Sequence, residues 1–474
     1  MEEDFAVSVP TSVTNLLDLQ NVKYNIAHLA LNNFEWGTTH SFPSQAQATV
    51  QSTLLKDGIG KVQILYPSHC LLDLNSLNKT LSRQLRVTSP EDLKHYYSEY
   101  KIDSVPGLPN HGGFPTVIDE RLLAYDTLLL NSGSAGHALQ IDQLDFQLIT
   151  REATRLDFAV PLNTLSEPIV KDYSQKENEE QIKHAIENFT TLRIKQRLEE
   201  TLELPPLPVT AQKIINLRAD PNADINDLAK IVETDPSLAA QVVSWAGSPY
   251  YAAPGKIKSI QDAIVRVLGF DMVLNLSLGL SLGKTMKLPS ESPECIANYW
   301  QKAVYTAAAV EALVTSIPRD HRPSFGMSYL SGLLNNFGFI VLAEIFPPHF
   351  EMINHYIAAN PNVPISMIER HLIGITREQL ASCLMGIWQM PEEVQIALRY
   401  QRIPEYYGEH HELSKLLFLA HSHLHARFIE DGPDIDVPDD VYESLHIDKE
   451  QANIRINTMM ESSSDLDIIV KQMS

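Results

Sequence analysis

Cysteine is scarce in this chain. The three that occur, Cys70, Cys295 and Cys383, are odd in number, far apart and never in a C-x-x-C pair. That argues against a disulfide framework and against a cysteine zinc site, and points to reduced, mostly buried thiols. Basic residues are also short: 37 Lys and Arg face 59 Asp and Glu, a net charge of −22. Such a chain lacks the broad positive footprint of sequence-independent nucleic-acid binding, so no DNA partner is expected. Long apolar runs are missing too. None approaches the roughly 20 residues of a membrane span. The longest apolar stretch, Val273 to Leu282, is interrupted by Asn275, Ser277 and Ser281 and reads as a buried helix. The first residues, Glu2, Glu3 and Asp4, are acidic and supply no basic leader region. A cytoplasmic protein with no membrane partner is the expectation.

What remains is ample material for folded domains. With 474 residues, 44% apolar and 20% charged, the chain has room for two or three cores. The first 150 residues mix strand and helix signals. Lys61 to Tyr66 is a β-rich run opened by Gly58 and Gly60 and closed by Pro67, and Thr116 to Ile118 is a second. Asp126 to Leu130 and Ala138 to Ile141 flank the turn Asn131 to His137, which predicts a hairpin. Ser89-Pro90-Glu91-Asp92 opens a helix with Ser as N-cap, Pro at the first helical position and acids in the first turn. This half is expected to be α+β with a mainly antiparallel sheet.

Residues 161 to 180 read as a linker, since Pro161, Pro168 and the polar run Lys171 to Glu180 have little to bury. A helix starts near Lys176. Ile182, Ala185, Ile186, Phe189, Leu192 and Leu198 keep helical spacing up to the proline-rich stop Leu204 to Pro208. From there to about residue 410 every strong signal is helical, with Asp224 and Asp235-Pro236 as helix starts. An all-α domain follows from this. Residues 431 to 474 carry 11 acids and 3 bases, a net of −8, and read as an acidic, partly helical tail. His421 and His425 share the i, i+4 spacing of helical zinc pairs. No Glu follows as in H-E-x-x-H, and with His410 and His411 they read as solvated side chains.

The runs LPPLPVTAQKIINLRADPNADINDLAKIVETDPSLAAQVVSWAGSPYY, SIQDAIVRVLGF, YLSGLLNNFGFIVLAEIFP and LMGIWQMPEEVQIALRYQRIPEY resemble the HDOD family in order and separation. The resemblance implies a helical, usually non-catalytic signalling module related to HD-type metal phosphohydrolases. Those enzymes hold metal with a His-Asp pair in L-L-H-D-x-G and with further histidines. Here the matching residues are Asn335 and Asn336, with Arg377 and then Gln401-Arg402 at the other positions. Amides are poor ligands for divalent transition metals, and an Arg repels a cation. No metal and no cofactor is expected. The vestigial pocket around Asn335, Asn336, Arg377, Gln401 and Arg402 becomes the candidate ligand or contact site. Its two arginines suit an anion, and signalling proteins are the expected partners.

The N-terminal pattern LLKD, KVQILYP, LDLNSL, PEDLKHYY and VPGLPNHGGFPTVIDERLL is similar to the YbaK family of aminoacyl-tRNA deacylases, relatives of the prolyl-tRNA synthetase editing domain. An editing domain ahead of an HDOD module also resembles a known two-domain bacterial arrangement. The resemblance implies a pocket in which a Lys orients the aminoacyl ester. Gln51 stands at that position, with Lys56 nearby. No catalytic residue is assigned. Gln51, His111, Gly112, Gly113, Asp119, Gly133, Gly136 and His137 are the ligand-binding candidates, next to Pro109. Residues 1 to 150 hold 9 bases and 16 acids, a net of −7, which weighs against tRNA binding.

The expected division is a YbaK-like domain over 10–152, a linker and connecting helix over 153–200, an HDOD-like domain over 201–410, and a polar helix with the acidic tail over 411–474. The expected function is non-enzymatic regulation, in which the N-terminal domain senses a small or aminoacyl ligand. An aminoacyl-tRNA deacylase regulated by the HDOD half is the alternative, and a metal-dependent phosphodiesterase a weaker third.

Overall fold

A computed structural model describes residues 9–28, 47–134, 136–165, 173–189, 207–253, 255–283, 293–345, 347–427, 429 and 437–473. The chain divides into two compact units. The first contains residues 1–167 together with 351–371, and the second contains 168–350 and 372–474.

Among its described residues the first unit is built on ten strands. They are β1 (Asn25–His28), β2 (Gln47–Lys56), β3 (Lys61–Pro67), β4 (Cys70–Leu72), β5 (Arg86–Val87), β6 (Thr116–Asp119), β7 (Thr127–Asn131), β8 (His137–Asp142), β9 (Thr154–Leu156) and β10 (Ala159–Pro161). Eight form one sheet in the order β1-β8-β7-β2-β3-β6-β9, with β5 beside β2, and β10 pairs with β4 separately. Antiparallel pairing dominates, as the sequence predicts, and β7–β8 is the expected hairpin. The sequence reading does not contain the three parallel joins β2–β7, β3–β6 and β6–β9. They arise because long crossovers return the chain to the sheet, where a tight turn would have forced antiparallel neighbours.

Among the described residues of this unit's N-terminal part lie the helices α1 (Thr11–Leu19), α2 (Leu74–Leu81), α3 (Pro90–Tyr100) and α4 (Gln143–Ile149). The cap predicted for α3 is present, since the Ser89 hydroxyl accepts from the Asp92 N–H. Asp73 caps α2 in the same way. One sheet face carries Val50, Leu65, Ile118 and Leu130, and it buries them with Val13 and Leu17 of α1 and with Phe146 of α4. Further along that face Leu54 packs with Tyr96 of α3.

The connecting segment is less empty than its composition implies. Leu162 is fully buried, and helix α5 (Gln175–Phe189) buries Asn178 and Ile182. Tyr173 donates to Gln395 Oε1 at 3.0 Å, and Arg399 Nε donates to Asn178 Oδ1 at 3.1 Å. Leu192, Leu198 and the stop at 204–206 lie outside the described residues.

Helices follow in sequence. First come α6 (Val209–Arg218), α7 (Ile225–Glu233), α8 (Pro236–Ala246), the short α9 (Ile260–Ala263), α10 (Phe270–Gly283) and α11 (Pro293–Val314). Then come α12 (Phe325–Leu334), α13 (Phe337–Ile345), α14 (Pro347–Ala359), α15 (Ile365–Ile373), α16 (Arg377–Ile387), α17 (Glu392–Tyr400) and α18 (His411–His425). Last are α19 (Asp439–Ser444), α20 (Lys449–Glu461) and α21 (Ser463–Met473). Asp224 and Asp235 cap α7 and α8 as predicted. The stretch Phe325–Glu344 is long and apolar enough to cross a membrane by length and composition, and 78% of it is buried in the protein. It exceeds the 273–282 run singled out from the sequence, because Asn335 and Asn336 hide its continuity.

Two expectations about the C-terminal part need correction. His421 and His423 are buried on a core helix, because α18 carries Leu413, Leu416, Leu417 and Leu424 into the interior. The acidic segment 437–473 is folded. Val441, Ile456, Leu466 and Ile469 are buried, and Tyr305 donates to Asp467 Oδ1 at 2.8 Å. Its acids lie mostly on exposed faces, so net charge alone misreads it. Cys70 and Cys383 are buried free thiols.

Candidate functional site

Strand alternation sorts the N-terminal candidates. Cross-strand partners share a face and sequence neighbours oppose. Gln51 lies across from Tyr66, whereas Ser52 lies across from Leu65 and Leu54 across from Gln63. Gln63 in turn lies beside Thr116, and Leu65 beside Ile118, on β6. Gln51 therefore occupies the face opposite Ser52, Leu54 and Gln63. Asp119, one residue after Ile118, is on the Gln51 face.

His111 belongs to the other group. It is 1% exposed. Its Nδ1 is 2.5 Å from the Tyr96 hydroxyl and its Nε2 is 3.1 Å from the Ser12 hydroxyl. Its ring lies 4.9 Å from that of Tyr100. Burial pushes the imidazole down to about 4, so it is neutral. Gly112 has φ +75°, and a Cβ there would stand 2.6 Å from Tyr96 and 2.8 Å from Phe114. This turn is thus an aromatic core element before it is anything else. Both nitrogens of His111 are engaged, which leaves it poorly placed as an acid or base.

The sequence reading missed a polar chain on the same face. Ser52 Oγ and Gln63 Nε2 both donate to the Pro106 carbonyl, at 2.9 and 2.8 Å. Thr116 Oγ1 donates to Gln63 Oε1 at 3.2 Å. The chain fixes the loop at Pro106-Gly107, and the Gly107 N–H donates to Asn131 O at 2.8 Å. The Asp103 N–H donates to Gly133 O at 2.8 Å, and at Gly133, with φ +86°, a Cβ would press on Pro106 and Ile102 at 3.0 and 3.1 Å. The 103–108 and 131–136 loops are thereby joined. One signal for this was available: a glutamine in the middle of the apolar run KVQILY. Gly113 and Gly136 would meet nothing within 4 Å through a Cβ, so both border open space. His137 is half-buried, across from His28 on β1.

Asp119 is a structural carboxylate. It is fully buried. Its oxygens accept from the N–H groups of Arg121, Phe158 and Ala159 at 3.0, 2.9 and 2.7 Å. The Arg121 guanidinium adds a contact at 3.2 Å. No lone pair is left for a ligand, which corrects its place among the binding candidates. Lys56 pairs with Asp92 at the start of α3, and that carboxyl is held below its usual range by the Lys56 ammonium and then by the Ser89 hydroxyl. Gln51 is half-buried beside the fully enclosed Tyr66 ring.

In the second unit the structure brings together two of the five expected residues and adds His421. Gln401 Nε2 donates to the carbonyls of Asn335 at 2.9 Å and Leu398 at 3.1 Å. With its nitrogen committed to two acceptors, Gln401 turns Oε1 toward His421 Nε2 at 2.9 Å. His421 therefore carries its proton on Nε2. Asn335 Nδ2 donates back to Gly332 O at 2.8 Å. All three side chains are buried. Arg377 starts α16 behind the Thr376 cap and lies 5.3 Å over the Phe339 ring. A Cβ on Gly338 would stand 2.0 Å from the Arg377 carbonyl, so this glycine lets α13 and α16 touch. Arg402 is half-buried, and Asn336 directly follows Asn335 at the α12–α13 break. Among the described residues no three His, Cys, Asp or Glu side chains converge as a metal-ligand set.

Fold and site together define a two-part protein, an editing-type α/β unit followed by an HDOD-type helical unit. Residues 40–149 match the aminoacyl-tRNA editing domain and residues 204–404 match the HDOD domain. The chain is 38% identical to a candidate signal transduction protein from Marinobacter aquaeolei VT8, over 98% of this chain and 100% of that one, with a TM-score of 0.85 to its crystal structure. An HDOD domain protein of unknown function from Geobacter sulfurreducens is 20% identical, covering 59% of this chain and 96% of that one, at a TM-score of 0.47. An uncharacterized protein from Treponema pallidum (strain Nichols) is 20% identical over 52% of this chain. The chain spans 47% of that relative's length. This protein belongs to the HDOD family, in the form that carries a YbaK-like aminoacyl-tRNA editing domain ahead of the HDOD domain.

Proposed function

We propose that this is a regulatory protein whose HDOD unit acts by binding a signalling partner, and whose editing-type unit binds an aminoacyl or other small ligand without turning it over. The observation that carries this reading is the bonding of Gln401, whose amide donates to the Asn335 backbone carbonyl and whose Oε1 stands 2.9 Å from His421 Nε2. By the family resemblance the positions of Asn335 and Gln401 hold metal in the hydrolases. Here both are uncharged amides bonded to helix carbonyls, and an amide pair has little affinity for divalent transition metals. The similarity to a candidate signal transduction protein points the same way. In the first unit, a glutamine at the lysine position supplies hydrogen bonds but no charge.

The test is a hydrolysis panel of mischarged aminoacyl-tRNAs, run on the natural chain and on Gln51→Lys. The reading expects no turnover above background by the natural chain. Turnover would make the protein a deacylase and overturn it. In parallel, the chain is incubated with Mn2+, Fe2+ or Ni2+ and desalted. It should retain far less than one metal per molecule and should not cleave bis(p-nitrophenyl) phosphate.

A further inference from the structure

Residues 351–371 fold with the first unit, although they lie inside the stretch that matches the HDOD domain. Both crossings fall within helices: 350/351 inside α14 and 371/372 inside α15. The hairpin made by these two helices is held by polar side chains, not only by apolar packing.

Asn360 acts on β4. Its Oδ1 accepts the Leu72 N–H at 2.7 Å, and its Nδ2 donates to the Leu72 carbonyl at 3.2 Å. One carboxamide thus stands in for a neighbouring strand at an edge that β10 does not cover. Tyr356 acts on α2. Its hydroxyl donates to Asp73 Oδ1 at 2.6 Å and accepts the Asn75 N–H at 2.8 Å. The same Asp73 oxygen accepts the Asn75 and Ser76 N–H groups at 3.0 and 3.1 Å and so starts α2. His371 Nε2 stands 3.5 Å from the other Asp73 oxygen. Burial alone would raise the Asp73 carboxyl. The bonds from His371, Tyr356 and Ser76 outweigh it and hold the group below its usual range. Arg370 adds a bond to the Leu165 carbonyl at 3.1 Å.

One carboxylate therefore both begins α2 and takes part in holding the hairpin. The β4 edge also lies close to the Gln51 face. Tyr66, the cross-strand partner of Gln51, is near enough to Cys70 for that thiol to influence its hydroxyl, and Leu72 is two residues further on.

We propose that residues 351–371 are a transmission clasp, which couples the order of β4 and the α2 start to the helices that follow the clasp in the second unit. The regulatory reading above gives this coupling its purpose. The coupling itself is measured without any ligand and stands or falls separately.

The experiment is hydrogen exchange on the full chain, comparing the natural protein with Tyr356→Phe/Asn360→Leu. The expected result has three parts. Exchange in 351–371 rises about tenfold or more, as expected when the hairpin loses the four hydrogen bonds that Tyr356 and Asn360 make to β4 and the α2 start. Exchange in 377–400 rises with it. Strands β2 and β3 stay protected, which shows that the first unit remains folded. Unchanged exchange in 351–371 would mean that these bonds do not hold the hairpin. Faster exchange there with 377–400 unmoved would leave a docked hairpin that transmits nothing. Either result overturns the proposal. If the double variant does not fold, Tyr356→Phe alone removes one oxygen and should give the same pattern at smaller amplitude. Asp73→Asn perturbs the coupling from the α2 side and should likewise quicken exchange in 377–400. Deacylase turnover in the tRNA panel would end the regulatory reading and leave the exchange result intact.

Discussion

Each unit has a buried polar centre, and the two centres are built to opposite ends. In the α/β unit, Ser52 and Gln63 donate to a loop carbonyl, that of Pro106, and Thr116 donates to Gln63 behind them. The loop they hold sits beside glycines that border open space. In the helical unit, the Asn335 and Gln401 amides donate to helix carbonyls, Gln401 turns its oxygen to His421, and all three are enclosed. The first centre shapes a rim, while the second fills an interior. Polar groups in a fold of catalytic ancestry are thus no guide to function until their bonds are followed to the end. A network enclosed among core helices is structural, and one that fixes a loop at an opening is a candidate for binding.

The largest effect should come from separating structure from binding within the α/β unit. Asp119→Ala leaves Arg121 without its buried partner and orphans the N–H groups of Phe158 and Ala159. A loss of about 3–5 kcal/mol is expected, as for removing one side of a buried ion pair. Urea unfolding measures it. A stable variant with a selective binding defect would restore Asp119 to the ligand site. In the helical unit, Gly338→Ala drives a Cβ against the Arg377 backbone, which cannot rotate away. A loss of about 2–3 kcal/mol is expected, with a lower unfolding midpoint in the same assay.

Protonation compares the units more gently. His111 in the first and His423 in the second are both pushed down to about 4, His111 by burial and His423 by burial and then by Arg427 and Lys449. Below pH about 6.5 the unfolded chain takes protons that the folded chain refuses, so stability falls as pH drops from 6.5 toward 4. Between pH 7 and pH 5 each histidine should cost its unit about 2 kcal/mol. In a Trp36→Phe background the remaining tryptophans, Trp245, Trp300 and Trp388, all lie in the helical unit, so their fluorescence isolates His423. The pH slope should flatten in His423→Phe and persist in His111→Phe.

Much of the scaffold was legible in the sequence because it depends on local chemistry. Ser89-Pro90, Asp224 and Asp235-Pro236 announce helix starts through their own side chains. The turn at 131–137 announces a hairpin. What stayed hidden depends on distant partners. Nothing near Asp119 foretells that it will be claimed by Phe158 and Ala159, some 40 residues on. His421 looks like one of several polar-helix histidines until Gln401 turns its oxygen toward it. The clasp was out of reach, since Leu72 and Asn360 are separated by 288 residues. The candidate site was legible as a set of residue types but not as a geometry. Neighbours on β2 face opposite ways, so a motif read as one string divides between two faces of the sheet.

The smallest effect expected tests the other lysine near the editing-type site. Lys56 lies within the same motif as Gln51 and is the one cation there that could replace the missing family lysine. The structure commits it elsewhere, to Asp92 at the α3 N-terminus, with both side chains about two-fifths exposed. Exposed pairs of this kind contribute little, because solvent screens them and ordering the side chains costs entropy. Lys56→Ala should therefore leave the unfolding midpoint almost unmoved. Placed in the Gln51→Lys background, it should also leave any aminoacyl-tRNA hydrolysis gained there unchanged. Loss of that activity on removing Lys56 would show that it swings from Asp92 to the substrate, and the α/β unit would then hold its working cation five residues away from the family position.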